Sequence, residues 1–309
     1  MIPDPKTKFV FFGTPKLSAE ILEHLKQHSL VPSLVVTNPD RPQGRKMLLT
    51  PPPVKMWAIK NKIPFLQPEL LSDPDFLYTL NATPYTLFVV VAYGKIIPKS
   101  VLAIPSKGTL NIHYSLLPKY RGASPIESAI LNDDRETGVA ILLLDEKMDH
   151  GPIVATQRLE NYESARPNVP AHVRYGRGIM NQEWPMKASE LRGTMNKIAG
   201  KLLAEVIPRW VAGEIKPNEQ DHSKATYAGK FTKNDGLLDL NGDAYKNFLK
   251  IRAFDDTIGT HFFADTQGKK IRVIVKDAEF REGKLILTRV LPEGKKEMSY
   301  GEFERGLKV

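Results

Sequence analysis

An amide, an imidazole and a carboxylate with the spacing of a catalytic site stand out in this sequence. Asn111 and His113 lie two residues apart in an apolar segment, so on a β-strand both side chains share one face. Thirty-six residues after His113, the turn Asp149-His150-Gly151 supplies a carboxylate that can partner the ring. An amide donor can stabilise a developing oxyanion, and a titratable ring can move a proton. These residue types predict catalysis, provided that the fold brings Asp149 to His113.

The segments around these residues alternate between strand and helix patterns. Strands are predicted at 8–12, 34–37, 87–92, 110–113 and 139–144. Helices are predicted at 17–25 and 124–131. Such alternation indicates an α/β domain with a doubly wound parallel sheet. We reject a dinucleotide site, because Gly13 stands alone where that fingerprint needs three glycines.

The C-terminal third changes character. A long amphipathic helix is predicted at 188–210, followed by a polar stretch over 212–225 that reads as a linker. Beyond it, a helix is predicted at 244–253 and short strands at 261–264, 271–276, 284–289 and 298–303. Their spacing predicts a small β-barrel. The expected organisation is a catalytic domain over 1–211, the linker, and a second domain over 226–309.

Composition limits the class of protein. A chain of 309 residues suits about two domains, and 41% hydrophobic with 26% charged residues indicates a soluble, globular one. The first eight residues lack a signal-peptide core, and no apolar run approaches the ~20 residues that span a bilayer. The lack of cysteine excludes disulfides, thiolate nucleophiles and Cys-based zinc sites. We expect a cytoplasmic protein without a metal.

A proline-rich stretch over 38–53 carries the most distinctive cluster of basic residues. It is predicted to be a loop without regular structure, and it presents Arg41, Arg45 and Lys46. Long loops in compact domains are usually functional or disordered. The net charge of +9 permits a polyanionic partner such as nucleic acid. The alternative is an ordinary solvated surface loop.

Several motifs together resemble the methionyl-tRNA formyltransferase family along nearly the whole chain. They are Phe-Phe-Gly-Thr-Pro at 11–15, Asn-Pro-Asp-Arg-Pro-Gln-Gly-Arg at 38–45, Val-Val-Ala-Tyr-Gly-Lys-Ile-Ile-Pro at 90–98, Asn-Ile-His-Tyr-Ser-Leu-Leu-Pro-Lys-Tyr-Arg-Gly-Ala-Ser-Pro-Ile at 111–126, Glu-Thr-Gly-Val at 136–139, Met-Asp-His-Gly at 148–151, Thr-Tyr-Ala at 226–228 and Ile-Arg-Ala-Phe at 251–254. The Asn-x-His and Asp-x-Gly segments resemble all folate-dependent formyltransferases of this fold. The proline-rich loop and the two C-terminal segments resemble the tRNA enzyme in particular.

The resemblance implies a Rossmann-like catalytic domain, an OB-like C-terminal domain that contacts tRNA, and a monomer. It implies formyl transfer from 10-formyltetrahydrofolate to the amino group of methionyl on initiator tRNA. The matching catalytic residues are Asn111, His113 and Asp149. The matching folate-binding residues are Ser115, Leu116, Leu117 and Pro118. Contacts to the tRNA acceptor end are expected from Arg41, Arg45 and Lys46.

Other activities share the same residues and stay open at this point. A sugar-nucleotide amine formyltransferase would use the same donor without the basic loop, and a formyltetrahydrofolate hydrolase would replace the amine with water. A non-catalytic RNA-binding protein would have no need of the intact catalytic residues. Two departures from the family pattern stand out: Tyr114 is expected to narrow the pocket beside His113, and the arginine-rich segment over 160–186 is unusually long.

Overall fold

The structure is a computed structural model that describes residues 7–44, 46–160, 184–266 and 268–307. The strands are β1 (Phe9–Gly13), β2 (Leu34–Val36), β3 (Arg41–Gln43), β4 (Leu48–Thr50), β5 (Phe65–Leu66), β6 (Leu87–Val91), β7 (Thr109–His113), β8 (Arg121–Gly122), β9 (Glu136–Leu143), β10 (Ile153–Glu160), β11 (Tyr227–Ala228), β12 (Thr260–Thr266), β13 (Lys269–Arg281), β14 (Lys284–Pro292) and β15 (Met298–Ser299). The helices are α1 (Lys16–Gln27), α2 (Pro53–Asn61), α3 (Pro74–Asn81), α4 (Lys99–Leu102), α5 (Pro125–Leu131), α6 (Ala188–Val211), α7 (Ala244–Ala253) and α8 (Tyr300–Leu307), with a 3₁₀ turn at His222–Lys224. Neither α6 nor any other helix within these ranges is long and apolar enough to cross a membrane.

The chain divides into two compact units. The first unit draws its described residues from 1–121, 138–158 and 193–226, and the second from 122–137, 159–192 and 227–309. The unusual segment over 160–186 falls outside the described residues except at its two ends. The catalytic residues predicted from the sequence all belong to the first unit.

The first unit is organised by a seven-stranded sheet with the order β10-β9-β7-β6-β1-β2-β5. Strands β5, β2, β1, β6 and β7 run parallel, and β9 pairs antiparallel with β7. Every residue of β1 and β6 is buried, as expected for parallel strands covered on both faces. Helices complete the layers, so the predicted α/β class with a Rossmann-like sheet is confirmed.

The second unit contains a four-stranded antiparallel sheet with the order β12-β13-β14-β15. Its core joins this sheet to α7 and α8 through the buried side chains Leu238, Ile251, Phe262, Val273, Val275, Ala278, Leu287, Val290 and Phe303. Asp243 caps the start of helix α7: its carboxylate accepts hydrogen bonds from the backbone N–H groups of Tyr245 and Lys246. This architecture is consistent with the predicted small barrel domain.

The strand predicted over 298–303 is wrong beyond Ser299, because Tyr300–Leu307 form the helix α8. Ser299 and Glu302 form a capping box: the backbone N–H of Ser299 donates to Glu302 Oε2 at 2.9 Å, and that of Glu302 donates to Ser299 Oγ at 3.3 Å. Phe303 then faces the core from one side of the helix. The Ser-x-x-Glu signal for a helix start was present in the sequence.

The prediction that residues 38–53 lack regular structure is also wrong. Strands β3 and β4 form an antiparallel hairpin with Pro42 opposite Leu49. Proline is tolerated on a two-stranded ribbon, since each strand has a free edge where no N–H is needed. Gly44 and Met47 adopt positive φ angles of 71° and 48° at the tip, which lets the chain reverse.

Candidate active site

Strand β7 places Asn111 and His113 on one face at its carboxyl end. Its register with β9 sets Asn111 opposite Leu142 and His113 opposite Ala140. The strand ends at His113, and ligand sites of parallel α/β sheets lie beyond the carboxyl ends of such strands. The two side chains therefore point together toward the loops at that edge of the sheet.

The loop between β9 and β10 brings Asp149 to both residues. Its Oδ2 atom lies 3.6 Å from His113 Nδ1, and its Oδ1 atom accepts a hydrogen bond from Asn111 Nδ2 at 3.4 Å. The His113 and Asp149 side chains are only 6% and 12% exposed. Low exposure strengthens interactions between charged and polar groups. The structure thus assembles the three residues whose meeting the sequence alone left open.

The other ring nitrogen of His113 fixes which nitrogen carries the proton in the neutral ring. The Nε2 atom lies 2.8 Å from the Tyr120 carbonyl oxygen. A carbonyl oxygen only accepts, so Nε2 must donate and Nδ1 presents its lone pair toward Asp149. A proton arriving between Nδ1 and the Asp149 carboxylate can be shared by both groups. The pair is therefore suited to receive and release one proton.

The backbone of the loop that carries Asp149 is tightly constrained. Asp149 adopts a positive φ of 47°, a conformation that aspartate tolerates better than most residues. At Gly151 a Cβ atom would lie only 1.9 Å from the carbonyl oxygen of Leu143, so only glycine fits there. The Asp-x-Gly spacing follows from these two requirements.

The Ser-Leu-Leu-Pro segment forms a packed turn directly after β7. Ser115 is buried, and its Oγ atom donates to the Lys119 carbonyl at 2.6 Å. Leu117 packs against Ala140 and Leu142. The turn thereby anchors an apolar wall to β9 beside the strand that carries His113. Leu116 and Pro118 are partly exposed.

Tyr114, the residue after His113, is bonded to helix α6. Its hydroxyl donates to Asn196 Oδ1 at 2.8 Å, and Asn196 in turn donates to the backbone carbonyl of Leu17 and to the Glu20 carboxylate. Asn196 links helix α6 to helix α1, and Tyr114 holds Asn196 in place.

Arg41 and Lys46, two of the three basic residues predicted to contact RNA, lie on the β3–β4 hairpin. Arg41 is 60% exposed and pairs with Glu69 at 2.6 Å, and Lys46 is exposed. Arg45 lies outside the described residues. Exposed apolar side chains follow at the tip, with 67%, 64% and 69% exposure for Met47, Leu48 and Leu49. The hairpin presents both charge and apolar surface to solvent.

Two residues beside the candidate catalytic residues were missed by the sequence analysis. Arg121 and Gln220 are buried and hydrogen-bonded to each other. Arginine in a turn is usually exposed, so the position of Arg121 between Tyr120 and Gly122 gave no sign that its side chain is buried. Gln220 falls in the stretch interpreted as a linker, where no pattern marks it. Within the described ranges no cluster of three or more His, Asp or Glu residues could bind a metal.

Comparison with known proteins identifies a family. The family model described as "Formyl transferase" matches residues 7–165. A methionyl-tRNA formyltransferase of Chloroflexus aurantiacus is 40% identical over 269 residues, which cover 86% of this chain and 79% of that protein. One from Herpetosiphon aurantiacus is 37% identical over 97% of this chain and 98% of its own length.

Solved structures share the fold at much lower sequence identity. A methionyl-tRNA formyltransferase from Clostridium thermocellum superposes with a TM-score of 0.56 at 14% identity, covering 93% of this chain and 98% of that one. An N-formyltransferase from Helicobacter canadensis, in complex with folinic acid and dTDP-3-aminofucose, has a TM-score of 0.59 at 16% identity and covers 89% of this chain and 88% of that one. At such identities the likeness concerns the fold and does not separate one acceptor from another.

Proposed function

The chain belongs to the methionyl-tRNA formyltransferase family, and we propose that Asn111, His113 and Asp149 form its catalytic site. The enzyme transfers the formyl group of 10-formyltetrahydrofolate to the amino group of methionyl on initiator tRNA. The products are formylmethionyl-tRNA and tetrahydrofolate. The observation that carries the site proposal is the Asp149 carboxylate within 3.6 Å of His113 Nδ1 and 3.4 Å of Asn111 Nδ2.

Asn111 stabilises the tetrahedral intermediate. The neutral amine attacks the formyl carbon, a C–N bond forms, and the carbonyl π pair moves onto oxygen. The side-chain amide of Asn111 has two N–H donors, so one can bond to this oxyanion while the other contacts Asp149. A donor in such a position stabilises the transition state by about 3–4 kcal/mol.

His113 and Asp149 move the proton that the amine loses. The intermediate collapses when the bond from carbon to N10 of the folate breaks, and N10 must then gain one proton. The Asp149 carboxylate and Nδ1 of His113 accept the proton from the attacking nitrogen and pass it to N10, with water as the carrier where needed. The Tyr120 carbonyl holds the ring in the required tautomer. No covalent enzyme intermediate is involved.

Ser115, Leu116, Leu117 and Pro118 bind the formyl donor. The turn follows His113 directly in the chain, so a folate against it has its formyl group near β7. Leu117 is held by Ala140 and Leu142, which makes this wall rigid before any ligand arrives. Preformed apolar walls with a few polar groups are typical of small-molecule sites.

Arg41 and Lys46 of the β3–β4 hairpin, together with Arg45, contact the acceptor end of the tRNA. Arginine pairs bidentately with phosphate, and the Arg41–Glu69 pair is exposed enough to exchange at little cost. The apolar tip at Met47, Leu48 and Leu49 offers surface for unpaired bases. The second domain, over 226–309 beyond the 212–225 linker, adds contacts to the tRNA backbone. The enzyme acts as a cytoplasmic monomer.

The test is transfer of labelled formyl from 10-formyltetrahydrofolate to charged initiator tRNA, with a UDP-amino sugar as the competing acceptor. Formylmethionine on the tRNA and no formylated sugar is the expected result. Formylation of the sugar alone would favour a sugar-amine enzyme, and release of formate without an acceptor would indicate a hydrolase. Either outcome would overturn the proposal.

A further inference from the structure

The catalytic carboxylate belongs to a turn that needs support from elsewhere in the fold. Asp149 adopts a left-handed backbone conformation, and its neighbour Gly151 is packed against the Leu143 carbonyl. Left-handed backbone in residues other than glycine is unfavourable and persists only where surrounding contacts impose it. The contacts that impose it therefore decide where the carboxylate sits relative to His113.

Gln220 supplies those contacts. Its side-chain amide nitrogen donates to the Asp149 carbonyl at 2.9 Å and to the Gly151 carbonyl at 2.6 Å. The side chain is buried, with 6% exposure. Both amide hydrogens are thus committed to the two backbone positions that flank His150. The Gln220 side chain therefore fixes the backbone on both sides of His150.

Arg121 orients the Gln220 amide. Its Nε and Nη2 atoms donate to Gln220 Oε1 at 3.2 and 2.7 Å, and Nη2 also contacts His222 Nδ1 at 2.8 Å. Because a guanidinium has donors only, it selects the amide oxygen and leaves the amide nitrogen facing the turn. Arg121 itself is 2% exposed, so this arrangement is shielded from water.

These hydrogen bonds form a closed network around His113 and Asp149. Tyr120 accepts a hydrogen bond from His113 through its carbonyl, and the next residue, Arg121, binds Gln220. Gln220 binds the backbone of Asp149, whose carboxylate returns to His113. Tyr120 thus holds the His113 ring directly, and Arg121 holds the Asp149 loop through Gln220.

The segment that carries Gln220 is itself anchored to both sides of the site. Asn218 and Ile153 exchange backbone hydrogen bonds of 2.7 and 2.8 Å. At the other end, the backbone N–H of Arg121 donates to the Thr226 carbonyl at 2.8 Å, and that of Tyr120 donates to Thr226 Oγ1 at 2.8 Å. Residues 218–226 therefore connect the loop of Asp149 to the turn that holds His113.

We propose that Gln220, oriented by Arg121, is a positioning residue that sets the Asp149 carboxylate against His113. The inference rests on the proposed catalytic roles of those two residues. Gln220 itself contacts no reacting atom; it acts through the backbone of Asp149. The stretch over 212–225, interpreted as a linker from the sequence, is in this sense part of the catalytic apparatus.

The first test compares Gln220→Met with a matched loss of a buried amide. Asn247 is equally buried, donates to the Asp239 carbonyl at 2.6 Å, and belongs to the second unit. Gln220→Met is expected to lower kcat by about 10- to 100-fold, since misplacing a catalytic group by about 1 Å costs up to that much. KM for both substrates should change less than about twofold, because Gln220 does not contribute to binding of the substrates in the ground state. Asn247→Leu should lower thermal stability while leaving kcat unchanged.

A double-mutant cycle separates positioning from general damage to the fold. If Gln220 acts through Asp149, Gln220→Met should change the residual rate of an Asp149→Ala variant by less than about twofold. Gln220→Glu keeps the bonds to Arg121 but loses both amide donors. Its kcat should therefore fall as far as that of Gln220→Met. It replaces Gln220→Met in the test if the methionine variant folds poorly. Wild-type kcat in both Gln220 variants, or an equal loss in both backgrounds, would overturn the inference. A normal rate for Asp149→Ala alone would instead overturn the proposed catalytic site.

Discussion

His113 is held between two acceptors: its Nδ1 atom lies 3.6 Å from Asp149 Oδ2, and its Nε2 atom donates to the Tyr120 carbonyl at 2.8 Å. The carbonyl cannot give or take a proton, whereas the carboxylate can. In the proposed mechanism the two sides of the ring therefore differ in function: the Nε2 side sets orientation, and the Nδ1 side carries the proton chemistry. Substitutions on the Nδ1 side should accordingly affect rate far more than folding.

Asp149→Asn should lower kcat by about 10²–10⁴-fold, the range for loss of a general acid–base group. Asparagine keeps the size of the side chain and can still accept from Asn111, but it cannot take a proton. Single-turnover formyl transfer to charged initiator tRNA measures the effect. Asp145→Asn is the matched control, because Asp145 pairs with His150 at 2.7 Å in the same unit. A kcat for Asp149→Asn above a tenth of the wild-type value would argue against proton transfer through this carboxylate.

Asn111→Ala should lower kcat by about 10²–10³-fold with little change in KM for either substrate, because the amide donates to an oxygen that is charged only in the transition state. Thermal unfolding should show a folded protein, since the contact to Asp149 is long at 3.4 Å and contributes little to stability. Steady-state kinetics with the donor and the tRNA varied in turn separate the two constants. A rise in KM at unchanged kcat would assign Asn111 to substrate binding instead.

The parts of the fold predicted correctly from the sequence are those with strong local patterns. The buried runs at Phe9–Gly13 and Leu87–Val91 are apolar throughout, and the order of strands and helices then predicts a parallel sheet. Asn111 and His113 share a strand face by a period of two residues, which needs no knowledge of the partner strand. Their common orientation therefore follows from local spacing alone.

The remaining parts depend on register and on long-range contacts. Asp149 reaches His113 only because β9 pairs antiparallel with β7 and the chain turns back through a positive φ angle. Gln220 is separated from Asp149 by 71 residues, and its neighbours show no periodic pattern. The β3–β4 hairpin was missed because its prolines outweighed a short strand signal. The hydrogen bond between Tyr114 and Asn196 spans 82 residues, so no local pattern predicts it.

Tyr114→Phe should lower the free energy of unfolding and leave kcat within about twofold of wild type. The substitution leaves the buried Asn196 Oδ1 without the hydroxyl donor that lies at 2.8 Å, which costs about 1–3 kcal/mol. Denaturant unfolding measures the stability, and Tyr78→Phe is the control because that side chain is 79% exposed. A large fall in kcat without loss of stability would place Tyr114 in the pocket after all.

Asp40→Asn should destabilise the protein in a manner that depends on pH. Hydrogen bonds from Gln67 and then Lys55 hold the pKa of Asp40 below its usual value of 3.8. A depressed pKa in the folded state means that the stabilisation is complete above that usual value and is lost as the pH falls through the lower, folded-state pKa. The stability difference between wild type and variant should be constant from neutral pH to about pH 5 and should shrink below about pH 4. Urea unfolding across this range tests it; a difference independent of pH would mean that the charge is not the cause.

Arg41→Ala and Lys46→Ala should each raise KM for the tRNA, leave kcat unchanged and flatten the dependence of binding on salt. Each phosphate contact that is lost removes about 0.7–0.9 from the slope of log affinity against log salt concentration, because fewer counterions are released on binding. The bond between Arg41 and Glu69 offsets little of this, since both side chains are more than half exposed.

Lys60 is exposed on α2 and has the same charge, so Lys60→Ala is the control that should keep the wild-type slope. Filter binding of charged initiator tRNA between 50 and 200 mM salt, about the range over which such contacts weaken, gives the slopes. Equal slopes for all three variants and the wild type would remove the hairpin from the tRNA interface, whereas a smaller slope in the two hairpin variants alone would assign their charges to phosphates of the bound tRNA.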